Sequence, residues 1–386
     1  MTVNRRSALG LLGVAPLAAA GTANAAEEYG RVPRSLRPGG EFDRFVREQA
    51  FKDEFSGTIL LAHKGHTVLS RSYGMANKQQ RIRNGPDTIF SLGSITKVFT
   101  GVAMARLAER NKVAYGDKLG AHLDGFPAEV ADNVTIHQML THTSGMGDYR
   151  NENKDFPEES AKWSSEKEVM DGVMAFVRKG KLHFTPGTDH RYSNSAYTAL
   201  GAVVAKLSNQ PYYDYVREHV FKASRMAGAN FYSRPEWRDD PRIAHPYTTT
   251  PSGREDHVDH RLFAGGPDGG AFANAADLVR FTDALLNHRL LGRAFTELIT
   301  SAKVPLRPLP SQPGKPSRTG FAGYGPGITL QNGQWIIGHN GGSPGVDANW
   351  YWYPHSGWIT VILCNYDMRT SGPIVALANK LITVQN

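Results

Sequence analysis

The sequence predicts an α/β (α+β) fold: one antiparallel sheet built from both chain ends, helices on both faces, and an inserted all-helical region over about 116–264. Three observations carry that expectation. Strand-like runs cluster before residue 75 and after residue 326, while residues 165–223 show helical periodicity. The last of these runs, WITVILCNY at 358–366, is apolar at both alternating sets of positions, so helices should cover it on both sides. Residues 95–108 are apolar on nearly every side, the pattern of a buried central helix.

Composition bounds the rest. The chain has 386 residues, 40% hydrophobic and 21% charged, with 40 Gly and 22 Pro, which is an ordinary globular balance. The formal charge is +8, falling by two if Arg5 and Arg6 are removed. The basic residues are scattered, with no aromatic–basic interleaving, so they solvate the surface and point to no nucleic-acid partner.

Residues 1–25 read as a secretory signal. Arg5 and Arg6 precede an apolar run at 8–20 that is too short to span a bilayer, and Ala23-Asn24-Ala25 offers a cleavage site. The paired arginines suggest the twin-arginine route. The expected mature domain is 26–386, periplasmic or secreted, with no stable membrane anchor after cleavage. The lone Cys364 cannot form an internal disulfide and is expected in the core.

Residues 41–54 form a predicted amphipathic helix with Phe42, Phe45, Val46 and Phe51 on its buried side. Strands are expected at 56–62 and 67–73, joined by a turn containing Gly65. The central helix follows, then a short helix over 134–140 leading into THTSGMGDY. Helices are expected at 165–178, 196–208 and 212–223, with polar, irregular chain over 235–262. GGPDGG makes a glycine-rich turn before a helix at 275–286. The prolines at 305, 308, 310, 313 and 316 mark 304–320 as an exposed loop. A hairpin over 327–330 and 334–338 turns at Asn332-Gly333. Strands at 346–353 and 358–366 and a helix at 373–383 complete the chain.

The chemistry centres on Ser94 and Lys97. Residues i and i+3 share one helix face, so the two side chains meet in the first turn of the central helix. Burial in such apolar surroundings is expected to lower a lysine pKa and make it a base. The helix N-terminus offers free N–H groups to a developing anion. A second Ser-x-x-Lys, Ser164 to Lys167, lies in the polar run WSSEKE and is expected to be solvated.

Acyl transfer needs further groups. Tyr192, in a loop after Pro186-Gly187, could shuttle a proton, and Asn194 could bind a substrate carbonyl or amide. Read structurally, the same residues are a helix start capped by Ser or Asn. His339-Asn340-Gly341-Gly342 ends a strand; Gly341 would let substrate lie close, and the Gly342 N–H could complete an oxyanion hole. Tyr149-Arg150-Asn151 and His63-Lys64-Gly65 are the matching decoys.

The order Ser94-x-x-Lys97, Tyr192-x-Asn194, His339-x-Gly341 resembles the serine β-lactamase and penicillin-binding protein superfamily, in its class C β-lactamase and D,D-carboxypeptidase-like branch. FSGTILLAHKGHTVLSRSYGMAN, TIFSLGSITKVFTG, TIHQMLTHTSGM, FTPGTDHRYSNSAY, GGAFANAADLVRF and GHNGGSPGV are similar to its segments and stand in the same order. The resemblance implies Ser94 as acylated nucleophile, Lys97 as base, Tyr192 in proton transfer and Asn194, His339 and Gly341 at the substrate. It also implies an oxyanion hole from the N–H groups of Ser94 and Gly342, and no metal or cofactor. The partner is a small-molecule or peptide substrate.

The third motif departs from class C β-lactamases, which carry lysine where this chain has His339. Residues 319–338 also contain no Lys, Arg or His. Poor carboxylate recognition is therefore expected, with an esterase or D,D-carboxypeptidase (D-peptidase-like) activity ahead of a β-lactamase, an acyltransferase or a non-catalytic penicillin-binding-type protein.

Two further motifs offer rival readings. Gly341-Gly342-Ser343-Pro344-Gly345 matches G-x-S-x-G, but that elbow needs a helix after the serine and VDANWYWYP is strand-like. Asp256-His257-Val258-Asp259-His260 has zinc-ligand residue types in a loop-like setting.

Overall fold

The two ends of the chain meet along one ladder. Eight strands make a single antiparallel sheet: β1 Gly57–His63, β2 His66–Tyr73, β3 Val304–Pro305, β4 Arg318–Ala322, β5 Gly327–Gln331, β6 Gln334–Ser343, β7 Val346–Tyr353 and β8 Trp358–Cys364. Their order is β2-β1-β8-β7-β6-β5-β4-β3, with Gly57 opposite Cys364 and His63 opposite Trp358 where the ends join. The computed structural model describes residues 32–308 and 318–384. The signal-like segment 1–25, with Arg5 and Arg6, and Pro310, Pro313 and Pro316 lie outside the described residues.

β8 decides the layering. Ile359, Val361 and Leu363 point into one buried cluster, and Trp358, Ile362 and Cys364 into another. The first cluster takes helix α2, Thr96–Glu109, with α3 Glu166–Lys179, α4 Asn194–Ser208 and α5 Ala275–Leu286. The second takes α1, Glu41–Phe51, and α6, Gly372–Thr383. A strand buried on both faces by helices is what its unbroken apolar run requires. Cys364 sits in that core, burial pushing its thiol up to about 12.

Helix α2 is buried at all but two of its residues, Arg106 and Glu109. It approaches the sheet closely at Gly101, where a Cβ would lie 2.2 Å from the Tyr324 carbonyl oxygen. On α1, Phe42 and Val46 are buried, but Phe51 is 91% exposed and does not join them as expected. Nine residues beyond Phe42 is two and a half turns, which places Phe51 on the opposite side of the helix.

Other departures have local causes. The proline-rich stretch expected as a loop has strands at both ends, and Pro305 pairs with Phe321 at the sheet edge, where no second ladder needs its missing N–H. Residues 235–262 are not irregular throughout. Ser233 and Glu236 form a capping box on a short helix, Arg234–Asp239, and Tyr247–Thr250 pairs with Gly253–Asp256 as a hairpin. The helix Arg293–Ile299 is only two turns long and shows too little periodicity to be read from sequence. Among the described residues no helix is long and apolar enough to cross a membrane.

Candidate active site

The N-terminal end of α2 meets the end of β6. Ser94 stands in a 3₁₀ turn, Gly93–Ile95, directly before α2, and Lys97 lies in the first turn of the helix. The turn starts from Gly93 at φ +49°, a left-handed conformation that glycine adopts without strain. The glycine-rich loop after residue 264 holds it in place. Gly270 N–H donates to the Gly93 carbonyl at 3.2 Å and Leu92 N–H to the Ala271 carbonyl at 2.8 Å. Thr96 Oγ1 accepts from Ala271 N–H at 2.9 Å and donates to the Gly93 carbonyl at 2.7 Å.

Lys97 is fully buried. Its Nζ reaches Asn194 Oδ1 at 2.7 Å, Ser94 Oγ at 3.4 Å and the backbone carbonyl of Asp268. Nζ also lies 4.7 Å from the centre of the Tyr192 ring. Asn194 is oriented from behind, since its Nδ2 donates to Asp148 Oδ2 at 2.9 Å. Its amide oxygen is therefore the end presented to the lysine.

Tyr192 and Asn194 are set by a helix start, as their structural reading expected. Ser193 is the N-cap of α4, accepting from Ala196 N–H at 3.0 Å and donating to the Gly147 carbonyl at 2.7 Å. That cap aims Asn194 inward and leaves Tyr192 41% exposed at the rim. The Tyr192 ring stacks on His142 at 4.4 Å and stands 6.3 Å from the His339 ring. Its hydroxyl makes no hydrogen bond to another described residue. The proton-transfer role assigned to it thus has its ring, not its oxygen, against Lys97 in this state.

Gly341 and Gly342 earn their residue type from packing. A Cβ on Gly341 would sit 1.9 Å from the Leu92 carbonyl oxygen and 2.8 Å from Ser94 N; one on Gly342 would run into the Met368 side chain. Gly93 would likewise meet Gly342 N at 2.9 Å. The backbone nitrogens of Ser94 and Gly342 are thereby brought to one place, as two oxyanion donors must be. The half-buried His339 donates from Nδ1 to the Asn340 carbonyl, 2.5 Å away. Burial and then the Lys97 charge push it down to about 4, so its ring is neutral at pH 7.

Beside this centre is a cleft of about 150 Å³ lined by Ser94, Asn194, Gly342, Arg150, Arg261 and Asp268, among others. Lys97, Tyr192 and His339 are not among its lining residues. Three of these lining residues, Arg150, Arg261 and Asp268, carried no functional reading in the sequence. Asp268 is buried and accepts from Arg150 Nη2 at 3.0 Å and the Tyr149 hydroxyl at 3.2 Å, while its backbone carbonyl holds Lys97. Arg150, from the decoy Tyr149-Arg150-Asn151, therefore belongs to the wall of the site. The signal that could have found it is the single acid inside GGPDGG, which has to be paired if the loop packs on a buried helix.

The other decoys and rivals take ordinary places. Lys167 is solvated and paired with Asp171. Ser343 ends β6 and is followed by a tight turn into β7, not by a helix. Asp256 accepts from Val258 N–H and bonds to His245 Nδ1, and the His257 and His260 rings stack at 4.6 Å. Among the described residues no group of three or more His, Cys, Asp or Glu side chains is placed to hold a metal ion.

Comparison with known proteins gives a family match. The family model Beta-lactamase matches residues 42–383. Penicillin-binding protein 4* of Bacillus subtilis (strain 168) is 28% identical over 315 residues, covering 77% of this chain. The chain spans 65% of that relative's length, just under two thirds. The structure of a penicillin binding protein from Bacillus halodurans superposes with a TM-score of 0.75 at 27% identity, over 86% of this chain and 98% of that one. D-amino acid amidase from Ochrobactrum anthropi SV3 superposes at 0.72 over 89% of this chain and all of that one; at 18% identity this is likeness of fold alone.

Proposed function

This chain belongs to the Beta-lactamase family, and on that premise we propose that it is an exported serine hydrolase acting on an ester or amide through an acyl-Ser94 intermediate. The observation that carries the reading is Lys97 Nζ, buried and within reach of both Ser94 Oγ and Asn194 Oδ1. A nucleophile paired with a base that a third group orients is the arrangement acyl transfer uses.

In the proposed reaction Ser94 Oγ attacks the carbonyl carbon and its proton passes to Lys97 Nζ. The negative oxygen of the tetrahedral intermediate is held by the N–H groups of Ser94 and Gly342. When the intermediate collapses, the leaving oxygen or nitrogen takes a proton relayed from Lys97, with Tyr192 as the rim group able to swing toward it. Water then attacks the acyl-Ser94 ester by the same path in reverse and releases the acid. Asn194, His339 and Gly341 border the substrate.

Esterase or D,D-carboxypeptidase-like activity is the reading we favour. A neutral His339 gives the third-motif strand no cation, which weighs against a β-lactamase built around a lysine there. The named relative is a penicillin-binding protein, which supports the peptidase side. Export through the twin-arginine route is the companion proposal, supported by Arg5, Arg6 and the A-x-A site at 23–25.

Turnover of p-nitrophenyl acetate, a D-Ala-D-Ala peptide and nitrocefin by wild type and Ser94→Ala tests the reading. Cleavage of the ester or the peptide, lost in Ser94→Ala, is the expected result. Hydrolysis that survives Ser94→Ala would overturn it.

A further inference from the structure

One buried residue takes hold of the chain on both sides of Tyr192. The backbone carbonyl of His142 accepts from Arg191 N–H at 2.9 Å, and its ring Nδ1 accepts from Ser193 N–H at 3.1 Å. The ring itself lies between two tyrosines, 4.4 Å and 30° from the Tyr192 ring and 5.0 Å and 35° from the Tyr197 ring. Tyr197 is fully buried and fixed, since its hydroxyl donates to the Leu140 carbonyl at 2.8 Å. Lys97 Nζ faces both tyrosine rings, at 4.7 and 5.5 Å from their centres. Three stacked rings thus run from the core out to Tyr192 at the rim, beside the proposed base.

The backbone there is unusual as well. His142 sits at φ +60°, a left-handed conformation that a residue with a Cβ enters only at a cost. Such outliers persist where the surrounding structure over-determines them, and they cluster at working sites. Because Nδ1 is the acceptor, the ring proton is on Nε2 and the imidazole is neutral. Burial, and then the Lys97 charge, hold it in that form by pushing it well below its ordinary value. A protonated ring would turn a donor toward Ser193 N–H and set a second charge beside Lys97.

We propose that His142 is a positioning residue that holds the Tyr192 side chain in place to pass a proton to the leaving group. This rests on the serine-hydrolase reading of Ser94 and Lys97, and it assigns a residue that lies outside the Ser94, Tyr192 and His339 motifs. The Tyr192 hydroxyl bonds to no other described residue, so the side chain is set from its other end. The bonds at Arg191 and Ser193 fix where it leaves the backbone, and the stacked imidazole fixes the plane of its ring. A group misplaced by about 1 Å can cost about 10²-fold in rate. Here the loss falls on poor leaving groups, which depart only as they are protonated, and spares those that are stable as anions.

The test is the ratio of kcat/KM for phenyl acetate over that for p-nitrophenyl acetate, whose leaving phenols differ in acidity. It is measured in wild type, Tyr192→Phe, His142→Asn, His142→Phe and the double variant of His142→Asn with Tyr192→Phe. His142→Asn keeps an acceptor for Ser193 N–H on a residue that tolerates left-handed backbone, and removes the stacked ring. His142→Phe keeps a ring and removes the acceptor. Each should lower the ratio about 5-fold or more, toward its value in Tyr192→Phe. In the double variant the histidine change should move the ratio by less than about 2-fold, because its effect runs through the tyrosine. Circular dichroism shows which variants keep the fold, and if one of the two does not, the other decides. A ratio unmoved by the histidine changes overturns the proposal even where both esters are cleaved more slowly, since a purely structural role slows them alike. An unmoved ratio in Tyr192→Phe, or the same fall repeated in the Tyr192→Phe background, overturns it too. Wild type that cleaves neither ester removes the hydrolase reading and this inference with it, whereas Ser94-dependent cleavage with an unmoved ratio removes this inference alone.

Discussion

Lys97 Nζ lies 2.7 Å from Asn194 Oδ1. Two segments 97 positions apart are joined there at the buried amine beside Ser94. A hydrogen bond contributes about 0.5–1.5 kcal/mol net, and a buried partner left unsatisfied costs about 1–3 kcal/mol. Asn194→Ala should therefore lower both the melting temperature and the rate of Ser94 acylation, the latter by about 10-fold or more. Thermal denaturation and stopped-flow acylation check the two effects, and an unchanged acylation rate would show that Asn194 does not orient the lysine.

Gly341 is expected to be the least replaceable residue of the third motif. A methyl group there collides with the Leu92 carbonyl and presses on Ser94 N, so Gly341→Ala must push β6 away from the nucleophile turn. A displacement of about 1 Å can cost about 10²-fold in rate. At Gly372 a Cβ meets nothing within 4 Å, which makes Gly372→Ala the matched control. Steady-state kinetics of the two variants should separate them by about two orders of magnitude.

The histidines near the site should add acid sensitivity without acting as switches at neutral pH. Burial and the Lys97 charge hold His339 near 4, and burial also puts His142 well below its ordinary value. The unfolded chain binds these protons near pH 6.5 and the folded protein only at lower pH, so stability is full above 6.5 and declines as pH falls toward 4. The melting temperature should fall over that window, and less steeply in His339→Gln. The kcat/KM profile between pH 6 and 8 should keep its shape in His339→Gln; a lost inflection there would mean that His339 titrates in the working range.

Export offers an independent check. With Arg5 and Arg6 both replaced by lysine, the protein should remain inside the cell, and the wild-type mature chain should begin at Ala26. Fractionation and N-terminal sequencing read both, and unimpaired export of the variant would favour the general secretory route.

How far the sequence reveals this site depends on how local each signal is. The Ser94–Lys97 pair was legible because three positions along continuous helical chain, here a 3₁₀ turn running straight into α2 rather than the first turn of α2 itself, suffice to bring two side chains together. The double-faced burial of β8 was legible because both alternating sets of its residues are apolar. Phe51 misled, since an aromatic at a helix end looks like part of the buried stripe until its angle is counted. Arg150 and Arg261 were not legible as site residues. They arrive from loops whose path is set by tertiary contacts, Arg150 through Asp268 and Arg261 through Ser343, 118 and 82 positions away.

The central claim is that Ser94 forms the acyl-enzyme with Lys97 as its base. Intact-protein and peptide mass spectrometry after reaction with a fluorophosphonate tests it most directly. The account predicts one label per chain on Ser94, none in Ser94→Ala, and labelling of Lys97→Ala slower by about 10²–10⁴. A label found on Ser343 instead, or Lys97→Ala labelled at the wild-type rate, would contradict it.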